Sequence, residues 1–167
     1  MDLNHIGYPG IADEAIDKGI KYLFSINVNG RWKGFPTLAG ESDIWVTGFV
    51  LAHIHHLSQQ TGAIKAALNY LLRCRHPSGG WSYSIAVPPD ADSTAWCLIA
   101  LQLAGAIATP ILEESKKFIW NHFTGSGVST YTSDSGIREF ISTPAAYPIS
   151  GWTGAHPDVS IAAVLAD

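Results

Sequence analysis

Two aspartates separated by a single residue stand where the chain passes from a proline-containing turn into an apolar segment. Asp90-Ala91-Asp92 follows Pro88-Pro89, and residues 95–104 beyond it are almost entirely apolar. Proline does not continue inside a helix, so a helix is expected to begin after the turn, with Asp92 or Ser93 as its N-cap. A carboxyl group at the start of a buried helix could serve as the cap, as an acid, or as both, because the two roles are compatible.

Apolar periodicity predicts six main helices of two kinds. Amphipathic helices, each with one apolar face, are predicted near residues 12–25, 62–74 and 110–123. Helices that are apolar on nearly every side are predicted near residues 43–58, 92–106 and 157–166. The amphipathic helices should form an outer layer and the apolar helices an inner layer. Ser42 and Asp43 are the candidate N-caps of the first inner helix, and Thr109 is the candidate for the third outer helix.

The helix pairs and the aromatic loops between them recur along the chain. Trp32 lies 11 residues before Asp43, and Trp81 lies 11 residues before Asp92. The two copies are 49 residues apart, and a looser third copy runs from Trp152 to Asp158. A period near ~50 residues indicates stacked units with a shared core, here two concentric helix layers in a ring or an arc. The aromatic loops should gather at one end, where function is expected.

Length and composition favour one helical domain, residues 1–167, and exclude several classes of protein. The net charge of -4 leaves no basic patch for nucleic acid. The longest apolar run is shorter than the ~20 residues that a membrane span needs. Cys74 and Cys97 are expected to be buried free thiols, which favours a reducing compartment. No signal peptide is recognisable, so a cytoplasmic location is expected.

Four stretches of the sequence resemble the terpenoid cyclase and protein prenyltransferase superfamily, with its repeats of the squalene-hopene-cyclase type. They are GGWSYS at 79–84, PPDADSTAW at 88–96, ESDIWVTGFVLAHI at 41–54 and, more weakly, SGWTGAHPDVSIAAVLA at 150–166. The resemblance implies an all-α fold, the α/α toroid. The chain holds about half the helix pairs of a full ring, so it pairs with another chain, is a fragment, or forms an open arc. A homo-oligomer or a complementing chain is the expectation.

Residues 90–95 resemble the Asp-x-Asp-Asp-Thr-Ala motif of class II cyclases, whose middle aspartate protonates an alkene or an epoxide. The resemblance implies that Asp92 is the general acid, with Asp90 and Ser93 beside it in the catalytic motif. Ser93 stands where the family has its last aspartate. The implied function is proton-initiated cyclisation of an apolar polyprenyl substrate, an isomerase- or lyase-type biosynthetic reaction. Two alternatives remain: a non-catalytic lipid- or partner-binding module built on degenerate repeats, and a toroid cyclase for a non-terpenoid substrate.

Protonation of an alkene needs a dry site, and the resulting cation needs electron-rich walls. Six aromatic residues are candidates for these substrate-binding walls: Trp81, Tyr83, Trp96, Trp45, Phe49 and Trp152. Core packing at a repeat turn is the alternative role for the tryptophans. Burial would keep Asp92 protonated, whereas the helix N-terminus favours its charged form, and the sequence does not decide between them.

Metal and cofactor patterns are weak in this sequence. His53 and His56 are three residues apart, but no cysteine or carboxylate stands at a matching spacing, so no metal site is predicted. The zinc pattern of prenyltransferases and the Cys-Gly-Glu-Gln sequence of thioester domains are not recognisable. No cofactor is expected, except Mg²⁺ if the substrate is a diphosphate. The apolar substrate could be taken up from a membrane surface.

Overall fold

The computed structural model describes residues 11–34, 36–57 and 61–167. In these residues the main helices are α1 (Ile11–Ser25), α2 (Ile44–Ile54), α3 (Thr61–Cys74), α4 (Ala91–Leu103), α5 (Thr109–Trp120) and α8 (Pro157–Ala166). Two single-turn helices, α6 (Ile137–Phe140) and α7 (Ser150–Thr153), lie between α5 and α8. Two short antiparallel hairpins pair β1 (Pro36–Thr37) with β2 (Gly40–Glu41) and β3 (Trp81–Ser82) with β4 (Pro89–Asp90).

The predicted helical fold is confirmed, and each main helix lies where periodicity placed it. The inner helices end three to four residues earlier than predicted at Ile54 and Leu103, and α5 ends at Trp120 instead of 123. Residue 58, the predicted end of α2, lies outside the described residues. The hairpins add β structure that the all-α prediction omitted. None of the helices in the described ranges is long and apolar enough to cross a membrane.

The three apolar helices pack side by side, with α4 in the middle. Helix α4 makes its most extensive contacts with α2 and α8, while α3 packs on α2 and α4, and α5 packs on α4 and α8. The approach of α2 to α4 depends on Gly48, because a Cβ there would lie only 3.0 Å from the backbone nitrogen and Sγ of Cys97. Helices α3 and α5 therefore pack against the apolar helices, while the two concentric layers stay a prediction. Closure of the layers into a toroid stays a prediction.

A repeated set of hydrogen bonds ties each loop to its inner helix. The backbone N–H of Trp32 donates to Thr47 Oγ1 at 3.0 Å, and that of Trp81 donates to Thr94 Oγ1 at 2.8 Å. Both threonines are the fourth residue of their helices and are fully buried. The two indole N–H groups reach back to outer-helix carbonyl groups, at Leu23 and Leu71, both at 2.7 Å. The internal repeat is therefore present in the bonding as well as in the spacing.

The third copy has a different register from the one predicted. Ser160 is the fourth residue of α8, and its Oγ accepts a hydrogen bond at 2.9 Å from the backbone N–H of Val128. Val128 therefore occupies the position that Trp32 and Trp81 hold in the first two copies. Trp152, the aromatic residue predicted for this position, lies on α7 instead. The sequence does not reveal the equivalence of Val128 to Trp32 and Trp81, because valine and serine replace the tryptophan and the threonine in this copy.

Helix starts depend on the loops more than the sequence indicated. The N-cap of α4 is Asp90, and neither Asp92 nor Ser93, because pairing of β4 with β3 holds Asp90 in the extended conformation typical of an N-cap. Asp43 precedes α2 without a side-chain capping bond, while Ser42 Oγ accepts from Val46 N–H at 3.3 Å. Helix α5 begins at Thr109 itself, so the predicted Thr109 cap is also wrong.

Candidate active site

The first turns of the three inner helices meet at one end of the layer. Trp45, Asp92 and Asp158 are the second residues of α2, α4 and α8, respectively. The indole N–H of Trp45 donates to Asp92 Oδ2 at 2.8 Å. All three side chains line a pocket of about 280 Å³. Equivalent positions of the three repeats therefore build one wall of the same site.

Asp90 is committed to the structure of the helix start. Its side chain is 1% exposed, and its two carboxyl oxygens accept from the Ser93 backbone N–H at 2.7 Å and from Ser93 Oγ at 2.6 Å. Thr94 Oγ1 also donates to the Asp90 carbonyl at 2.6 Å. Burial raises the pKa of Asp90 to about 8, although the bonds from Ser93 oppose the rise. Asp90 therefore holds its proton to a higher pH than an exposed aspartate does.

Asp92 is left free of the capping role and faces the pocket. Burial raises the pKa of Asp92 to about 6, the Trp45 indole N–H opposes the rise, and the charge of Asp158 adds to it. A carboxyl group with this pKa is protonated in mildly acidic solution and can donate a proton. Ser93 bonds to Asp90, so within the motif it supports the cap.

Aromatic residues form the other walls of the pocket. Tyr83, Tyr131 and Trp152 line it together with Trp45. The rings of Tyr131 and Trp152 lie 5.9 Å apart, and the Tyr131 backbone N–H donates to the Trp152 carbonyl at 2.9 Å. Burial raises the pKa of Tyr131, so it remains a neutral phenol. The pocket thus combines an acid with electron-rich rings, as a carbocation reaction requires.

The six aromatic residues predicted for the walls fall into three groups. Trp45, Tyr83 and Trp152 line the pocket. Trp81 is fully buried in the core, where its indole N–H bonds to Leu71, so it does not reach the pocket. Phe49 and Trp96 lie next to the site: Phe49 stacks on Trp45 with ring centroids 5.4 Å apart and meets Trp96 edge-on at 4.8 Å.

Several residues of the pocket were not predicted from the sequence. Tyr131 lies in the segment rich in glycine, serine and threonine, and its one signal was an aromatic residue among small ones. His156, the N-cap residue of α8, and Asp158, in the first turn of α8, also line the pocket. Within the described part of the chain, no group of three or more His, Cys, Asp or Glu side chains could hold a metal ion. The absence of a cofactor, and the need for Mg²⁺ if the substrate is a diphosphate, both stay predictions.

Comparison with solved structures shows similarity to type II terpene cyclases. The structure of type II terpene cyclase MstE from Scytonema without ligand aligns with a TM-score of 0.77 and 29% identity, over 90% of this chain and 46% of MstE. An MstE variant with one aspartate replaced by asparagine, in complex with geranylgeranyl dihydroxybenzoate (substrate), aligns with a TM-score of 0.77 and 28% identity, over 90% of this chain and 45% of the variant. A protein from Actinoplanes aligns with a TM-score of 0.73 and 32% identity, over 86% of this chain and 44% of that protein.

These similarities establish a terpenoid cyclase-like fold. The chain spans somewhat less than half the length of the structures that it matches. No protein-family model and no curated protein sequence matches the chain. The assignment of the repeats to the squalene-hopene type stays a prediction.

Proposed function

We propose that this chain carries the acid-bearing part of a class II-type terpene cyclase site, with Asp92 as the general acid. The observation that carries the proposal is the division of roles at the start of α4. Asp90 caps the helix, so the Asp92 carboxyl is left to face a pocket with aromatic walls. The proposed substrate is an apolar polyprenyl compound. MstE, a protein of similar fold, was solved in complex with geranylgeranyl dihydroxybenzoate.

The proposed reaction begins with transfer of the Asp92 proton to a terminal alkene carbon or an epoxide oxygen. A C–H or O–H bond forms while the alkene π bond or the epoxide C–O bond breaks, and positive charge develops on the neighbouring carbon. Internal alkenes attack in turn and close rings, and loss of a proton from the final cation gives the neutral product. Solvent returns a proton to Asp92.

The surroundings of Asp92 suit both products of this first step, the carboxylate and the cation. The Trp45 indole N–H can stabilise the carboxylate that remains after proton transfer. The rings of Tyr83, Tyr131 and Trp152 line the pocket and can stabilise the cation through cation–π attraction. Among the described residues that line the pocket, none is a lysine or an arginine. A neutral hydrocarbon terminus therefore suits the pocket better than a diphosphate does.

The test is the Asp92→Asn variant, assayed with a panel of polyprenyl substrates that includes geranylgeranyl dihydroxybenzoate, with mass spectrometry and chromatography of the isomerised products. Asparagine keeps the size of the side chain and can accept the Trp45 bond, but it carries no acidic proton. Product formation should fall by about 10²–10⁴, as for loss of a general acid. The wild-type rate should also fall as pH rises through about 6, because Asp92 then loses its proton.

The matched control is Asp13→Asn, which changes an exposed aspartate in the first turn of α1. It should leave product formation unchanged. Full turnover by a folded Asp92→Asn variant would exclude the acid role of Asp92.

A second candidate function is a non-catalytic module that binds lipid or a partner. The observation that favours it is that the chain spans only 44–46% of the matched structures. Saturable binding of the polyprenyl panel without product at any pH would support it. Product from a substrate without prenyl groups would instead support a non-terpenoid cyclase.

A further inference from the structure

Two carboxyl groups of the pocket have no cationic partner in this chain. Asp92 and Asp158 both line the pocket, and neither forms a salt bridge with a lysine, an arginine or a histidine in residues 11–34, 36–57 and 61–167. The rest of the sequence contains no lysine or arginine. Asp158 is exposed, and exposed carboxyl groups are ionised at neutral pH. The pocket therefore carries negative charge that the described part of the chain does not neutralise.

Aromatic rings line the same pocket as these carboxyl groups. The rings belong to Trp45, Tyr83, Tyr131 and Trp152. The Tyr131 and Trp152 rings are 5.9 Å apart and inclined to each other by 38°, so they do not stack flat on one another. A cation is attracted by the negative face of an aromatic ring, and sites for quaternary ammonium ions are built from several such rings. The pocket therefore combines rings and negative charge as an organic cation requires.

The size and the lining of the pocket narrow the class of cation. Its volume of about 280 Å³ is at the lower end of the range for small-molecule sites, so it suits a small ion or the head group of a longer molecule. Hard metal ions such as Mg²⁺ and Ca²⁺ prefer walls of oxygen ligands, whereas four side chains of this wall are aromatic. A methylated ammonium ion needs only the rings and the carboxylate charge.

We propose that this pocket binds a small methylated ammonium ion, held among the aromatic rings and close to Asp92 and Asp158. The Trp45 indole N–H donates to Asp92 Oδ2 at 2.8 Å and so fixes this carboxyl group at the wall of the pocket. Asp92 lies in the first turn of α4 and Asp158 in the first turn of α8, so the cation is placed between two helix starts. Binding requires no proton transfer, and the site therefore does not depend on the proposed reaction.

The pH dependence of ammonium binding is the reverse of that expected for catalysis. Burial raises the pKa of Asp92 to about 6, so Asp92 becomes negative above that pH and attracts a cation, as Asp158 does. Protonation of His156, which also lines the pocket, would add a repelling positive charge in acidic solution. Burial raises the pKa of Asp90 to about 8 and raises that of Tyr131, so both stay largely neutral between pH 5 and 7. Binding should therefore strengthen as the pH rises, whereas proton donation weakens.

The first test is calorimetric titration of the full chain with choline and, in parallel, with dimethylbutanol, the uncharged analogue in which a carbon atom replaces the nitrogen. Choline should bind at least about tenfold more tightly, because the rings and the carboxylates attract only the charged probe. Its affinity should be higher at pH 7 than at pH 5. No saturable binding of choline, equal affinity for the two probes, or tighter binding of choline at pH 5 would overturn the proposal.

Two variants test whether choline binds in this pocket. Asp158→Asn removes a charge at an exposed position and Trp152→Leu removes a ring, and each should weaken choline binding at least about threefold. The matched controls on α1 are Asp13→Asn and Tyr22→Leu, which change an exposed aspartate and an exposed aromatic residue. The controls should bind choline as wild type does, and all four variants should keep the wild-type circular dichroism spectrum. Unchanged binding in both pocket variants would contradict the proposal.

Vesicles of phosphatidylcholine distinguish a lipid head group from a free ligand. Co-sedimentation that choline abolishes would identify the lipid, and choline binding without co-sedimentation would identify a free ammonium compound; both results support the site. The outcome is separate from that of the proposed reaction, because binding is measured without turnover. Selective choline binding by a chain that forms no product would contradict the reaction alone, and product formation without selective choline binding would contradict the ammonium site alone.

Discussion

Asp90 and Asp92 are two residues apart, yet their side chains are in different environments. Both carboxyl oxygens of Asp90 accept hydrogen bonds from Ser93, and the side chain is enclosed. Asp92 bonds to the Trp45 indole across the gap between α4 and α2 and faces the pocket. A structural carboxyl group and one that can react are therefore separated by a single residue, Ala91.

Asp90 should make the protein less stable as pH rises, and Asp90→Asn should remove that effect. The pKa of Asp90 is about 8 in the folded protein and about 3.9 in an unfolded chain. Between these values the folded state keeps a proton that the unfolded state releases, so the free energy of unfolding falls with rising pH. Asparagine can make the same capping bond but does not titrate. Urea unfolding at pH 5 and pH 8 should show a smaller loss of stability in the variant.

Asp17→Asn is the control for this measurement, because Asp17 is exposed on α1. Its loss of stability between the two pH values should equal that of wild type. If Asp90→Asn loses as much stability between the two pH values as wild type does, the pKa of Asp90 is not raised in the folded protein.

At the scale of the elements, the hydroxyl group at the fourth residue of each inner helix fixes the loop that precedes it. Thr47 Oγ1 accepts the backbone N–H of Trp32 and donates to the carbonyl of the same residue. Thr94 Oγ1 accepts the backbone N–H of Trp81 and donates to the Asp90 carbonyl. Ser160 accepts the corresponding N–H of Val128. Because the loops carry the pocket residues, these bonds determine how the loop side chains sit over the helix starts.

Thr94→Val should destabilise the protein without changing the volume of the core. The variant would leave the buried Trp81 N–H without its acceptor, and an unsatisfied buried donor costs about 1–3 kcal/mol. Chemical denaturation measures the loss. Thr109→Val is the control, because Thr109 is exposed at the start of α5, and its effect should lie within about 0.5 kcal/mol. Equal stability of the two variants would show that the Trp81 bond is energetically unimportant.

Local patterns predicted the elements well and the site less completely. The six main helices could be predicted because each segment's own sequence shows whether its apolar residues occupy one side of a helix or all sides. The N-cap of α4 depends on pairing between β3 and β4, so its position could not be inferred from residues 90–93 alone. Likewise, Trp81 and Trp152 are similar in sequence context, but the first lies in the core and the second in the pocket. Tyr131 enters the site through a backbone bond to Trp152, which no spacing predicts.

At the scale of the whole molecule, the chain presents one wall of a site and a continuous apolar face beside it. The pocket of about 280 Å³ is built from the starts of three helices and the loops before them. Phe49 and Trp96 continue its aromatic lining beyond Trp45. The environment of Asp92 therefore depends on the packing of three helices that lie far apart in the sequence.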